Sequence, residues 1–172
     1  MNRNDHNPDL IDGVAMGPAI ALLELSSIAK GIEVADAILW ESDIELLFAT
    51  HVQPGKYLML FTGSVQDLDC AVRRGSDLAC GDLVDQLLIP HVHPQVEMAL
   101  RRREGRIEGQ IDAVGVVETT TVASAIQAAD AALKQATVDL LELRIANGLG
   151  GKSYISLTGE VSDVRSAVGA AA

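Results

Sequence analysis

AIALLELSSIAKGIEVADAIL, residues 19–39, returns without a gap as AVGVVETTTVASAIQAADAAL, residues 113–133, and this return decides the fold. A second pair follows, QPGKYLMLFTGSVQDLDCAV at 53–72 lying over LGGKSYISLTGEVSDVRSAV at 149–168 once two extra residues near Asn147 and Gly148 are allowed. The shared positions include Glu24/Glu118, Asp36/Asp130, Lys56/Lys152, Gly63/Gly159 and Asp67/Asp163. Self-similarity on this scale means that one small unit is used twice. The 172 residues therefore divide into a polar leader at 1–16, a first unit at 17–100, a charged connector at 101–112 and a second unit at 113–172.

Each unit yields its elements to pattern alone. AIALLEL and AVGVVET are short apolar runs with the length of buried strands. Ser26/Ser27 and Thr120/Thr121 then offer hydroxyl caps, and Ile28, Ile32, Ala35 and Leu39 fall at helical spacing, as do Val122, Ile126, Ala129 and Leu133. IELLFATH and VDLLELRI read as second strands, and KYLMLFTG and KSYISLTG as third strands beyond a Gly-rich turn. Second helices start near Val65 and Val161. In the first unit QLLIPHV is a fourth strand closed by prolines. The second unit has no counterpart and is expected to be incomplete at its C-terminus. Either the sequence is a piece of a longer chain, or another chain covers the sheet edge, since an uncovered edge invites aggregation.

Composition narrows the function. With 48% apolar residues but 3% aromatics, the core is built from small aliphatic side chains in a globular chain. A net charge of −11 disfavours nucleic acid or an anionic membrane as the main partner. Arg101 to Arg103 form one dense basic cluster, but Glu97, Glu104 and Glu108 surround it, which reads as a solvated connector. Cys70 and Cys80 fit no metal or disulfide pattern and read as structural thiols of a reducing cytoplasm. No apolar run is long enough to span a bilayer, and the opening lacks a signal peptide's apolar middle.

Catalytic groupings are weak. His91 and His93 share a strand face and could ligate a metal with Asp85 or Glu97, yet they sit in what reads as the closing strand of the unit. His51 ends a strand as a surface imidazole. Glu24 and Glu118 look like a carboxylate pair, but they recur because the unit recurs, and helix capping or an interface role suits them better than acid–base work. GLGGKS lacks the spacing of a phosphate loop and reads as a turn. No enzyme is expected, and no cofactor or metal.

The order strand, helix, strand, Gly-rich turn, strand, helix, strand, carrying ELSSIAKGIEVADAIL and QPGKYLML, resembles the shell domain of bacterial microcompartments. The duplication is similar to the tandem-domain, trimer-forming branch of that family, from about Gly17 onward. The resemblance implies an α/β (α+β) fold of two tandem domains, each a mostly antiparallel sheet flanked by helices. It implies a cytoplasmic shell protein whose homotrimer forms a pseudo-hexagonal tile with a pore for small polar metabolites. The pore would be lined by Gln53, Pro54, Gly55 and Lys56 and by Leu149, Gly150, Gly151 and Lys152. Relatives place a cysteine before the Pro-Gly-Lys turn, and three of these hold an iron–sulfur cluster; here that position is Gln53, its counterpart is Leu149, and Ser153 brings no thiol, so no cluster is expected. The family's edge lysine, which meets other shell proteins, corresponds to Lys134, whereas Trp40 replaces it in the first unit, as an anchor for a partner or as a core residue turned inward. A trimeric small-molecule-sensing α/β regulator is the alternative, weakened by the duplication.

Overall fold

The protein is described by a computed structural model, covering residues 17–102, 111–146 and 148–172. The leader at 1–16 and most of the connector lie outside the described residues.

The first unit runs β1 (Ile20–Leu25), α1 (Ile28–Glu41), β2 (Ile44–Val52), β3 (Lys56–Gly63), α2 (Val65–Ala79) and, beyond a short 3-10 turn, β4 (Leu83–Ile89). After α3 (Pro94–Arg102) the second unit runs β5 (Ala113–Thr119), α4 (Val122–Gln135), β6 (Val138–Ile145), β7 (Ser153–Gly159) and α5 (Val161–Ala171). Two of the caps are among those the sequence offers, Ser27 accepting from the Lys30 amide and Thr121 from the Ser124 amide, and the structure adds Ser64, which accepts from the Asp67 amide.

Both sheets are antiparallel, in the order β2-β3-β1-β4 and β5-β7-β6. The register of the second strand slips at the same place in each copy, between Leu46 and Phe48 and between Leu140 and Glu142. Duplication thus reproduces an irregularity as well as the elements, which marks the bulge as part of the design of the unit. β1 is central and all six of its residues are buried, whereas among the described residues β5 pairs with β7 alone and lies at the edge of its sheet.

Two cores result. One face of the first sheet carries Leu23, Leu25, Met59 and Phe61 against Val34 and Ile38 of α1 and Leu68 and Val72 of α2. The opposite face carries Ile20, Leu22, Leu58, Leu60, Leu87 and Ile89, and its cluster runs on into Val122, Ile126 and Leu133 of α4 and the core of the second sheet. The two units therefore share one core instead of hanging as beads on a linker.

The fourth strand starts at Leu83, three residues before QLLIPHV, and α3 is an element that the sequence reading passed over by stopping at the prolines and placing a connector from 101. Pro94 opens the helix, where its missing amide costs nothing. Val96, Ala99 and Leu100, at spacing i, i+3 and i+4, are fully buried in the shared core, and that spacing was the available signal. Arg101 is ion-paired with Glu97 on the same helix.

Candidate functional site

The sequence singled out two turns, and the fold brings them together. The first joins β2 to β3, closed by the Gly55 amide donating to the Val52 carbonyl at 2.8 Å. The second precedes β7, with the Lys152 amide donating to the Leu149 carbonyl at 3.2 Å. Gln53 spans the gap, its side-chain oxygen accepting from the Gly148 amide at 3.2 Å. Gly151, at φ +89°, lies so close that a Cβ there would stand 2.8 Å from Pro54 Cδ. Gly55 and Gly150 also take positive φ, but nothing lies within 4 Å of where their Cβ atoms would be. Glycine is thus needed at 151 for backbone conformation and close approach, and at 55 and 150 for conformation alone.

Below the turns lies a polar latch. Glu24 is fully buried at the end of β1, with Lys56 Nζ 2.7 Å from its Oε1. Its Oε2 accepts from the amides of Val122 and Ala123 at 2.7 and 3.4 Å, the open N-terminus of α4. One carboxylate therefore meets an ammonium from its own unit and a helix N-terminus from the other, where amides and helix dipole both favour negative charge. Lys56 also donates to the carbonyls of Thr120 and Gly151 in the second unit. Asp85 of β4 adds a second contact, its Oδ2 accepting from the Thr121 hydroxyl and, at 3.0 Å, from that of Ser124. The counterpart pair, Glu118 and Lys152 at 2.6 Å, is exposed.

The far end of α4 is tied down as well. Lys134 donates to Asp130 Oδ2 and to the His91 carbonyl, both at 2.5 Å, while Asp130 Oδ1 accepts from the His93 amide at 2.8 Å. His93 in turn caps α3, its Nδ1 accepting from the Gln95 amide at 3.2 Å. Trp40, at the position equivalent to Lys134, is 91% exposed, so of its two readings the inward-turned core residue is excluded. Cys70 and Cys80 lie exposed in and just after α2, and His51 is exposed on β2. Among the described residues no helix is long and apolar enough to cross a membrane.

The BMC domain family matches this chain twice, over residues 19–92 and 113–172. The chain belongs to the bacterial microcompartment shell-protein family. It is 42% identical to the bacterial microcompartment shell protein PduT of Citrobacter freundii over 153 residues, 89% of this chain and 82% of that one. A solved microcompartment protein from Desulfitobacterium hafniense DCB superposes with a TM-score of 0.74 at 44% identity, covering 91% of this chain and 86% of its own. A fused permuted hexameric shell protein shares the fold, with a TM-score of 0.69 at 20% identity over 96% of this chain and 89% of that one. The family accounts for the duplicated unit and for its antiparallel sheets with flanking helices, and it does not favour the sensor reading. Homologues of this kind are structural shell proteins.

The capping histidine gives the junction a pH dependence. Burial pushes the His93 imidazole below its usual range, Asp130 opposing the shift and Lys134 adding to it. The unfolded chain then takes up a proton at a higher pH than the folded chain does. Stability is full above the usual imidazole range and declines as pH falls through it toward the depressed value. His93→Asn keeps a capping acceptor and removes the titration. The variant's thermal midpoint is expected to fall less than the parent's between pH about 7.5 and about 5.5, a window set by the ordinary histidine range.

Proposed function

We propose that three copies of this chain close head to tail into a pseudo-hexagonal tile of a microcompartment shell. The paired turns would surround a central opening, rimmed by Gln53, Pro54, Gly55 and Lys56 and by Leu149, Gly150, Gly151 and Lys152. The observation that carries this reading is the contact between the turns, Gly151 against Pro54 and Gly148 against Gln53. Two wedges that already meet at their tips supply a third of a ring. Gly55 and Gly150 point no side chain into the open space before them, which leaves backbone amides and carbonyls to face a solute. Such a lining suits small polar metabolites. The ammonium of Lys56 is held back by Glu24, so its part in the rim is its backbone and stem.

No iron–sulfur cluster fits this opening. The residue before Pro54 offers a neutral amide oxygen already bonded to the Gly148 amide, and an amide is a poor iron ligand beside a thiolate. Ser153 is buried with its hydroxyl accepting from the Ala146 amide, and both cysteines belong to the α2 region. The parent chain treated with iron and sulfide under reducing conditions is expected to stay colourless, while Gln53→Cys gains charge-transfer absorption. A coloured parent would remove the assignment of Gln53.

At the rim of the tile, Trp40 offers a neighbouring tile a large apolar surface, and Lys134 stands at the matching place on the second unit, braced by Asp130. Sedimentation equilibrium tests the tile directly: a mass three times the 18.2 kDa chain is expected, with hexagonal outlines in negative stain. A monomer at every concentration would overturn it.

A further inference from the structure

We infer that Asp36 and Trp40, in the last turns of α1, form a cation seat for Lys134 of a second copy of this chain, so that first-unit edges of one tile mate with second-unit edges of the next. The inference rests on the tile proposed above and assigns which of its edges meet.

Duplication shows what the first unit lacks. On α4, Asp130 and Lys134 stand one turn apart and form an ion pair, and the lysine lies in the last turn, where helix carbonyls favour a cation. The same positions on α1 hold Asp36 and Trp40. Asp36 is exposed, and among the described residues no cation pairs with it. The last turn of α1 has no basic residue. Glu41 beside it is already satisfied, accepting from Arg74 at 2.8 and 3.1 Å. The end of α1 therefore presents a carboxylate, a helix C-terminus and an indole that is 91% exposed, and each of these attracts a cation.

Lys134 carries the complement. Two of its three ammonium hydrogens go to Asp130 and to the His91 carbonyl, while its side chain stays 44% exposed. An indole laid over that ammonium needs no further hydrogen bond and leaves the Asp130 contact intact.

Charge decides between the two ways in which edges could mate. Contacts about a two-fold axis bring each residue against its own equivalent. First-unit edges joined like that would press Asp36 and the C-terminus of α1 against the same groups of the neighbour. Second-unit edges would set lysine against lysine. Mating first unit with second replaces both repulsions by attraction. The geometry of a sheet agrees with this choice. Around a ring of three two-unit chains the units alternate, so opposite edges belong to different units, and tiles repeated by translation alone join a first unit to a second.

Cysteines placed just beyond the two helix ends read the mating directly, in the full-length chain carrying Cys70→Ser and Cys80→Ser, with circular dichroism to verify folding. Asp43→Cys marks the first-unit edge and Thr137→Cys the equivalent place on the second, both at exposed positions. A short bis-maleimide is added at a concentration where the parent associates beyond three chains. It is expected to join the two proteins in a mixture and to leave each alone without cross-links. Adding Trp40→Ala to the Asp43→Cys chain is expected to lower the mixed product at least about tenfold. Asp43→Cys chains that cross-link to one another, a mixture that does not cross-link, or a Trp40→Ala chain that cross-links undiminished overturns the seat and leaves the ring standing. A parent that stops at three chains at every concentration does the same. A parent that is monomeric throughout overturns ring and seat together.

Discussion

Glu24→Ala is expected to lower the unfolding free energy by about 3–5 kcal/mol, the range for removing one member of a buried ion pair. The cost arises on both sides of the carboxylate. Lys56, with only 18% of its side chain exposed, loses its counter-charge while still enclosed by the two units. The Val122 amide, buried at the start of α4, loses its acceptor and finds no water to replace it. The same truncation at Glu118 is expected to cost the isolated chain less than about 1 kcal/mol, because an exposed pair exchanges one solvated state for another. Urea unfolding of dilute protein reads both values. Equal losses at the two positions would mean that Glu24 draws nothing from its burial or from α4. The comparison is internal: the two glutamates share their place in the unit and differ in what the fold has put opposite them.

That difference also marks how far the sequence could be read. Strand and helix positions were legible because β1, α1, α2 and their copies follow clean periods, with hydroxyl caps at Ser27 and Thr121. The duplicated Glu24 and Glu118 were legible as capping or interface groups, but not which helix they would cap. Nothing local to Glu24 says that its partners are Val122 and Ala123, some hundred residues away, because that pairing comes from how the units stack. Helix α3 went unread for a different reason. Its apolar spacing was present in Val96, Ala99 and Leu100, but the prolines at 90 and 94 suggested an ending, and only the second starts a helix. Trp40 could have faced either way, since a single aromatic at a helix end has no periodicity to orient it. The two Gly-rich turns could be named in advance, but their contact through Pro54 and Gly151 is a product of assembly within the chain.

A second large effect is expected at Gly31, where duplication offers its own control. Alanine is the better helix former, and in an open helix Gly31→Ala would gain up to about 1 kcal/mol. Here a Cβ would lie 2.3 to 2.7 Å from Cδ1, Cγ and Cβ of Tyr57 on β3. A rotamer change would carry Cδ1 and Cγ away but would leave the Tyr57 Cβ at 2.7 Å, so turning the ring cannot clear the clash and α1 must move off the sheet. Overpacking of this kind typically costs about 1–3 kcal/mol, and we expect the net result to be destabilising. The second unit solves the same packing problem in the opposite sense, with Ala125 on the helix and Ser153 on the strand, both fully buried. Tyr57→Ser in the Gly31→Ala background rebuilds that solution and is expected to recover part of the loss, giving a favourable coupling between the two sites of about 1–2 kcal/mol in a double-mutant cycle. The midpoint of thermal unfolding for the parent, both single variants and the double variant reads this coupling. A Gly31→Ala chain as stable as the parent would mean that α1 shifts freely on β3.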